Sequence, residues 1–188
     1  LAGAITGGDV TVTEILPENQ TALINKLIES GVQVDEGPNW VRVRSSGRMK
    51  GIRVKTMPHP GFPTDMQQPM AAALTLASGQ SAIEETIYES RIGHIPELRR
   101  MGAQIELQGR SALITGVKKL EGAIVEASDL RAGAALVLAG LAAKGETTVR
   151  NVHFIDRGYE DIEGTLQKLG ASVTRVDEDS AGPKEVLS

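Results

Sequence analysis

With 188 residues, of which 40% are hydrophobic and 23% charged, the chain is sized for one core of ordinary globular composition. A net charge of -4 with two Phe, two Tyr and one Trp argues against a nucleic-acid surface, which needs clustered Lys/Arg and stacking aromatics. No cysteine is present, so disulfides, thiolate metal sites and a cysteine nucleophile are excluded within these residues, and a reducing compartment, the cytoplasm, is the default expectation.

The chain opens on Leu1-Ala-Gly-Ala-Ile-Thr-Gly-Gly8, which lacks the basic start of a signal peptide and reproduces Leu138-Ala-Gly-Leu-Ala-Ala-Lys-Gly145. It therefore reads as the last turns of a buried helix whose N-terminus and cap are missing, as expected of a piece of a longer polypeptide. Gly8 opens an alternating strand, an amphipathic helix follows to Gly31, and three further strands run from Val32, Val41 and Gly51. A helix over 64–77 comes next, apolar almost all round and so expected inside the fold. No apolar run reaches the roughly 18 residues needed to cross a bilayer.

From Gly79 the pattern repeats 71 residues on, through a helix stop at Gly102, strands from Ala103, Ala112 and Gly122, and a buried helix over 129–143. A third repeat starts at Gly145, 66 residues later, with a helix stop at Gly170 and a strand predicted for Ala171-Ser-Val-Thr-Arg-Val176. It then runs into Asp177-Glu-Asp-Ser-Ala-Gly-Pro-Lys-Glu, polar and without periodicity. The expectation is an α/β lobe of repeated βαβ-type units over 1–176 and a polar tail over 177–188.

Residues able to carry chemistry cluster where strands end and helices begin. In Pro58-His-Pro-Gly-Phe-Pro-Thr-Asp65 the prolines impose an extended approach, after which Thr64 or Asp65 either caps the buried helix or offers a carboxylate as general base. The equivalent turn, Ala127-Ser-Asp129-Leu-Arg131, places a cation where it opposes the helix dipole; it serves a salt bridge or an anion. Arg91 and Arg157 follow strands at repeat-related turns, either as solvated loop residues or as a bidentate grip on phosphate or carboxylate. The three histidines have no metal-ligand spacing, and no nucleotide phosphate loop or dinucleotide fingerprint occurs, so no metal is expected.

Together, Pro63-Thr-Asp-Met-Gln67, Glu85-Thr-Ile-Tyr-Glu-Ser-Arg91, Pro96-Glu-Leu-Arg-Arg-Met-Gly102, Ser128-Asp-Leu-Arg-Ala132 and Ile155-Asp-Arg-Gly-Tyr-Glu160 resemble the UDP-N-acetylglucosamine 1-carboxyvinyltransferases. The resemblance spans about residues 1–176. It implies one of two lobes, each an inside-out α/β barrel with its helices buried within. It implies transfer of an enolpyruvyl group from phosphoenolpyruvate to the 3-hydroxyl of UDP-N-acetylglucosamine, the first committed step of peptidoglycan synthesis, on which cell wall, cell shape and division depend. By the same resemblance Asp65 accepts the sugar hydroxyl proton and the Ile87 backbone contacts the sugar nucleotide. Arg157 holds phosphoenolpyruvate and, with Asp129 and Arg131 facing the cleft between lobes, counts among the catalytic positions, while Tyr88 and Arg91 are substrate-binding, Arg91 shaping the cleft wall. No metal, organic cofactor, nucleic acid or membrane partner is implied.

The family's other lobe carries a Lys-Asn pair, a further Arg and a loop Cys or Asp that acts as acid, none of which this chain contains. The isolated chain is therefore expected to fold without turning over substrate. Two rivals remain: the related transferase acting on shikimate 3-phosphate, and a non-catalytic binding module of the same fold.

Overall fold

The structure, a computed structural model, describes residues 1–176, and the tail expected over 177–188 lies outside them. In chain order the elements are α1 (Ala2–Thr6), β1 (Asp9–Thr13), α2 (Thr21–Glu29), β2 (Gln33–Gly37), β3 (Trp40–Arg44), β4 (Arg53–Lys55) and α3 (Gln67–Leu74), which is entered through a 3-10 turn, Thr64–Met66. Then follow β5 (Gln80–Glu84), α4 (His94–Arg100), β6 (Gln104–Gln108), β7 (Ser111–Thr115), β8 (Ile124–Glu126), α5 (Leu130–Ala142), β9 (Thr148–Arg150), α6 (His153–Asp156) and α7 (Ile162–Lys168).

Among the described residues three sheets form, ordered β1-β3-β2, β4-β5-β7-β6 and β8-β9. Each hairpin is antiparallel, as in Ile105↔Ile114 of β6 and β7. Each crossover through a buried helix is parallel, with Val54↔Ile83 joining β4 to β5 and Val125↔Val149 joining β8 to β9. The repeat is thus physical: β1, β2, β3 and β4 recur as β5, β6, β7 and β8 at the predicted offset. Gly51 and Gly122 occupy equivalent close approaches, where an added Cβ would sit 2.2 Å from the carbonyl oxygen of Gln80 or Glu146.

Helices α1, α3 and α5 pack together at the centre. All eight residues of α3 are buried. Met70 and Leu74, each 0% exposed, contribute about 1.5–3 kcal/mol apiece by leaving water. Pro69 is compatible with the helix because it stands in the first turn, where its missing N–H would have had no partner. The predicted helix stops at Gly31, Gly102 and Gly170 all take left-handed φ, and so do Gly79 and Gly145 at the strand entries; in the first repeat the left-handed residue is Gly7, one position before the expected Gly8.

Two local expectations fail. Residues 171–176 are not a strand. In the first two units the equivalent strands, β2 and β6, pair with β3 and β7, and among the described residues the third unit has no counterpart of those partners. Arg175 pairs instead with Asp156 and Glu163, both at 2.6 Å. Neither Thr64 nor Asp65 caps the helix after it, since neither the 3-10 turn nor α3 has a side-chain cap bond. Both side chains are drawn into longer-range contacts that define the site.

Candidate functional site

The N-terminal ends of α3 and α5 are neighbours because the two helices pack along one another, and this brings Asp65 and Arg131 together across 66 residues of chain. Arg131 Nε and Nη2 donate to Asp65 Oδ1 and Oδ2 at 2.6 and 2.7 Å, a two-pronged pair. Arg91 Nη1 donates to the same Oδ1 at 2.7 Å and to Thr64 Oγ1 at 3.1 Å. The Arg131 guanidinium, and behind it Arg91, holds the Asp65 carboxyl down to about 2 against the opposing effect of burial. Asp65 remains 55% exposed, so the carboxylate is clamped yet open to a ligand.

Asp129 is the helix cap the sequence suggests, its Oδ1 accepting from the amides of Arg131 and Ala132 at 2.8 and 3.0 Å. Burial pushes its carboxyl up, but those amides together with the Ser128 hydroxyl and the Gln68 side chain outweigh burial and leave it below the usual range. Arg131 does not bridge to Asp129 through its side chain; its partner is Asp65, which raises the guanidinium pKa further. The phenol of Tyr159 adds to that rise. An added Cβ on Gly158 would lie 2.8 Å from Leu130 Cδ2, so the 157–159 turn rests on the first turn of α5, beside Arg131. Arg157 in that turn is exposed, and its guanidinium makes no hydrogen bond or ion pair among the described residues.

On the other flank, the Arg91 guanidinium lies 5.2 Å from the centroid of the Tyr88 ring, which is 56% exposed. The amide N–H of Ile87 is engaged internally, donating to Glu85 Oε1 at 2.8 Å, so any contact from its backbone falls to the carbonyl. Ile87 and Asp65 line one hollow of about 280 Å³ with Met57, Pro58, His59, Pro63 and Thr64. A larger hollow of about 570 Å³ lies at the C-terminal ends of α1, α3 and α5, near Arg48 and Lys144, and includes none of the expected site residues.

Sequence reasoning assigned no role to two buried residues here. Glu85 is 4% exposed and accepts four hydrogen bonds. His94, at the start of α4, is fully buried with neither ring nitrogen bonded; burial lowers its pKa to about 4, against the pull of Asp129. Parity offered a signal for Glu85. Ser81 and Ile83 point inward along β5, and the next inward position is Glu85. Among the described residues there is no group of three or more His, Asp or Glu able to hold a metal ion, and no helix is long and apolar enough to cross a membrane.

Residues 1–166 match the family described as EPSP synthase (3-phosphoshikimate 1-carboxyvinyltransferase). The chain is 51% identical over 176 residues to UDP-N-acetylglucosamine 1-carboxyvinyltransferase from Clostridium botulinum, covering 94% of this chain and 42% of that protein. It is 50% identical over 185 residues to the protein of that name from Desulfofundulus thermocisternus, covering 98% of this chain and 76% of the relative. Among solved structures, the enolpyruvyl transferase NikO from Streptomyces tendae superposes with a TM-score of 0.81 at 29% identity, over 91% of this chain and 41% of that one. EPSP synthase from Acinetobacter baumannii shares the fold, with a TM-score of 0.60 at 22% identity over 78% of this chain and 36% of that one. The chain spans about 42% of the length of several curated relatives it matches. With its repeated α/β units around buried helices, it belongs to the enolpyruvyl transferase family, among the UDP-N-acetylglucosamine 1-carboxyvinyltransferases.

Proposed function

We propose that this chain supplies one wall of a cytoplasmic active site that transfers the enolpyruvyl group of phosphoenolpyruvate to the 3-hydroxyl of UDP-N-acetylglucosamine, in peptidoglycan synthesis. The opposing wall comes from a second lobe of the same polypeptide. In this reaction a proton adds to the methylene carbon of the enol phosphate while the sugar oxygen bonds to the neighbouring carbon and gives up its own proton. Loss of a methyl proton and of phosphate from that tetrahedral species then restores the double bond, so no redox partner is required.

The observation that carries the reading is the open carboxylate of Asp65, shared by two arginines on the edge of the hollow that includes Ile87. Asp65 is the base for the sugar hydroxyl, and Arg157, exposed and without an internal partner, holds the anionic donor. A carboxylate held at about 2 is a weak base, because a general base works best with a pKa near the operating pH. Proton transfer therefore requires the bound donor to draw Arg131 away from Asp65, which frees the carboxylate when the acceptor is in place. Catalysis then depends on two walls closing around both substrates.

Phosphate release tests this. The full-length protein should release phosphate from phosphoenolpyruvate with UDP-N-acetylglucosamine and at background rate with shikimate 3-phosphate, whereas the isolated 188-residue chain should release none above background with either acceptor. Turnover with shikimate 3-phosphate alone would transfer the assignment to the other acceptor, and turnover by the isolated chain would refute the two-wall account.

A further inference from the structure

We infer that Glu85 is a positioning residue for the acceptor side of the site, holding the turn that carries Ile87 and Tyr88 in register with Asp65; this rests on the function proposed above. Glu85 Oε1 accepts from Thr56 Oγ1 at 2.7 Å and from the amides of Ile87 and Tyr88 at 2.8 and 2.9 Å. Its Oε2 accepts from Thr64 Oγ1 at 2.8 Å. Thr64 precedes Asp65 and itself accepts from Arg91, the second partner of that carboxylate. One buried side chain thus joins Thr56, directly after β4, to the approach to α3 and to the loop after β5, and Thr64 and Ile87 from the latter two segments line the hollow beside Asp65.

The repeats supply an internal control. The positions equivalent to Glu85 in the first and third units are Glu14 and Asn151, both exposed and both in the left-handed region, with φ of 60 and 59. Glu85 is absent from that region, and its side chain is 4% exposed. A fold that needed this contact for its own closure would use it in each unit. It occurs only in the unit whose following turn carries Ile87, Tyr88 and Arg91.

A buried carboxylate is costly to desolvate, and burial here pushes its pKa up. The hydrogen bonds from Tyr88, Thr56, Ile87 and Thr64 outweigh burial and hold the group ionised. Four donors converging on an anion fix their segments more rigidly than neutral bonds would. Glu85 touches neither the hydroxyl nor the donor, so its effect falls on ground-state binding of the acceptor rather than on the chemical step.

The test is steady-state kinetics of Glu85→Gln, Glu85→Asp and Glu85→Ala in the full-length protein, with Asp65→Asn as reference. A glutamine oxygen still accepts from the Ile87 and Tyr88 amides, so Glu85→Gln should keep KM for the sugar nucleotide within about threefold of wild type. Glu85→Ala leaves both amides unpaired, and KM should rise about tenfold or more while kcat falls less than about threefold. Glu85→Asp retains the charge but falls one methylene short, and should raise KM severalfold; it decides the matter if the alanine variant does not fold. An unchanged KM in the aspartate variant, or a glutamine variant as impaired as the alanine one, would overturn the inference. Normal turnover in Asp65→Asn would instead overturn the functional reading beneath it.

Discussion

Arg131→Met is the most informative perturbation of the clamp, because it keeps a long apolar stem at the start of α5 and removes the guanidinium. Two bonds to Asp65, at 2.6 and 2.7 Å, disappear, while the 2.7 Å bond from Arg91 remains. Asp65 is held at about 2 rather than 3.8, a difference of roughly 2.5 kcal/mol at about 1.36 kcal/mol per pH unit. With Asp65 55% exposed, solvent screening reduces the pair's contribution to stability to about 1 kcal/mol or less. The folded-state pKa is depressed, so this stabilisation is complete above about pH 4 and is lost as pH falls through about 2. Carbon-13 NMR of the Asp65 carboxyl should find its pKa raised by about one unit in Arg131→Met. The wild type should exceed the variant in stability by about 1 kcal/mol near pH 5, and that gap should close toward pH 2. Identical titration of Asp65 in both proteins would refute the clamp.

Asp129→Ala should cost about 1 kcal/mol in chemical denaturation, the usual loss of a helix cap, because the Arg131 and Ala132 amides lose their acceptor. Its turnover in the full-length protein should also fall, since Arg131 stands on the turn being uncapped. Arg157→Ala should separate function from folding: with no internal bond to lose, its melting temperature should stay within about 1 °C of wild type. Its turnover should drop at least about 100-fold, the scale of losing a key oriented charge. A stability loss in that variant without a kinetic one would contradict the role given to Arg157.

How far the sequence could be read depended on the range of the interactions. The repeat was legible because its signals are local: strand alternation, glycines whose left-handed φ ends each helix, and helices apolar on every side. The strand expected at 171–176 failed because alternation reports a tendency and says nothing about a partner, and among the described residues the third unit has no counterpart of β3 or β7 to pair with it. The turn at Thr64 and Asp65 misled for a related reason. Capping is a rule about the next few residues, yet Asp65 is taken by an arginine 66 positions away and Thr64 by Glu85, 21 positions away. Asp129 keeps its Oδ1 for the amides of Arg131 and Ala132, and there the local rule held. The oddity of a cation at the start of α5 was a correct hint that Arg131 serves another segment, though not which one. The role of Glu85 is hidden within its motif and shows only in its parity with Ser81 and Ile83 of β5.

The most direct measurement is kcat for phosphate release by the full-length Asp65→Asn protein with saturating phosphoenolpyruvate and UDP-N-acetylglucosamine. Asparagine keeps the shape and one of the two acceptors for Arg131, but it cannot take the hydroxyl proton, so kcat should fall at least about 100-fold while stability falls by no more than about 1 kcal/mol, the worth of the charged pair. A kcat within about threefold of wild type would contradict the assignment of Asp65 as the base.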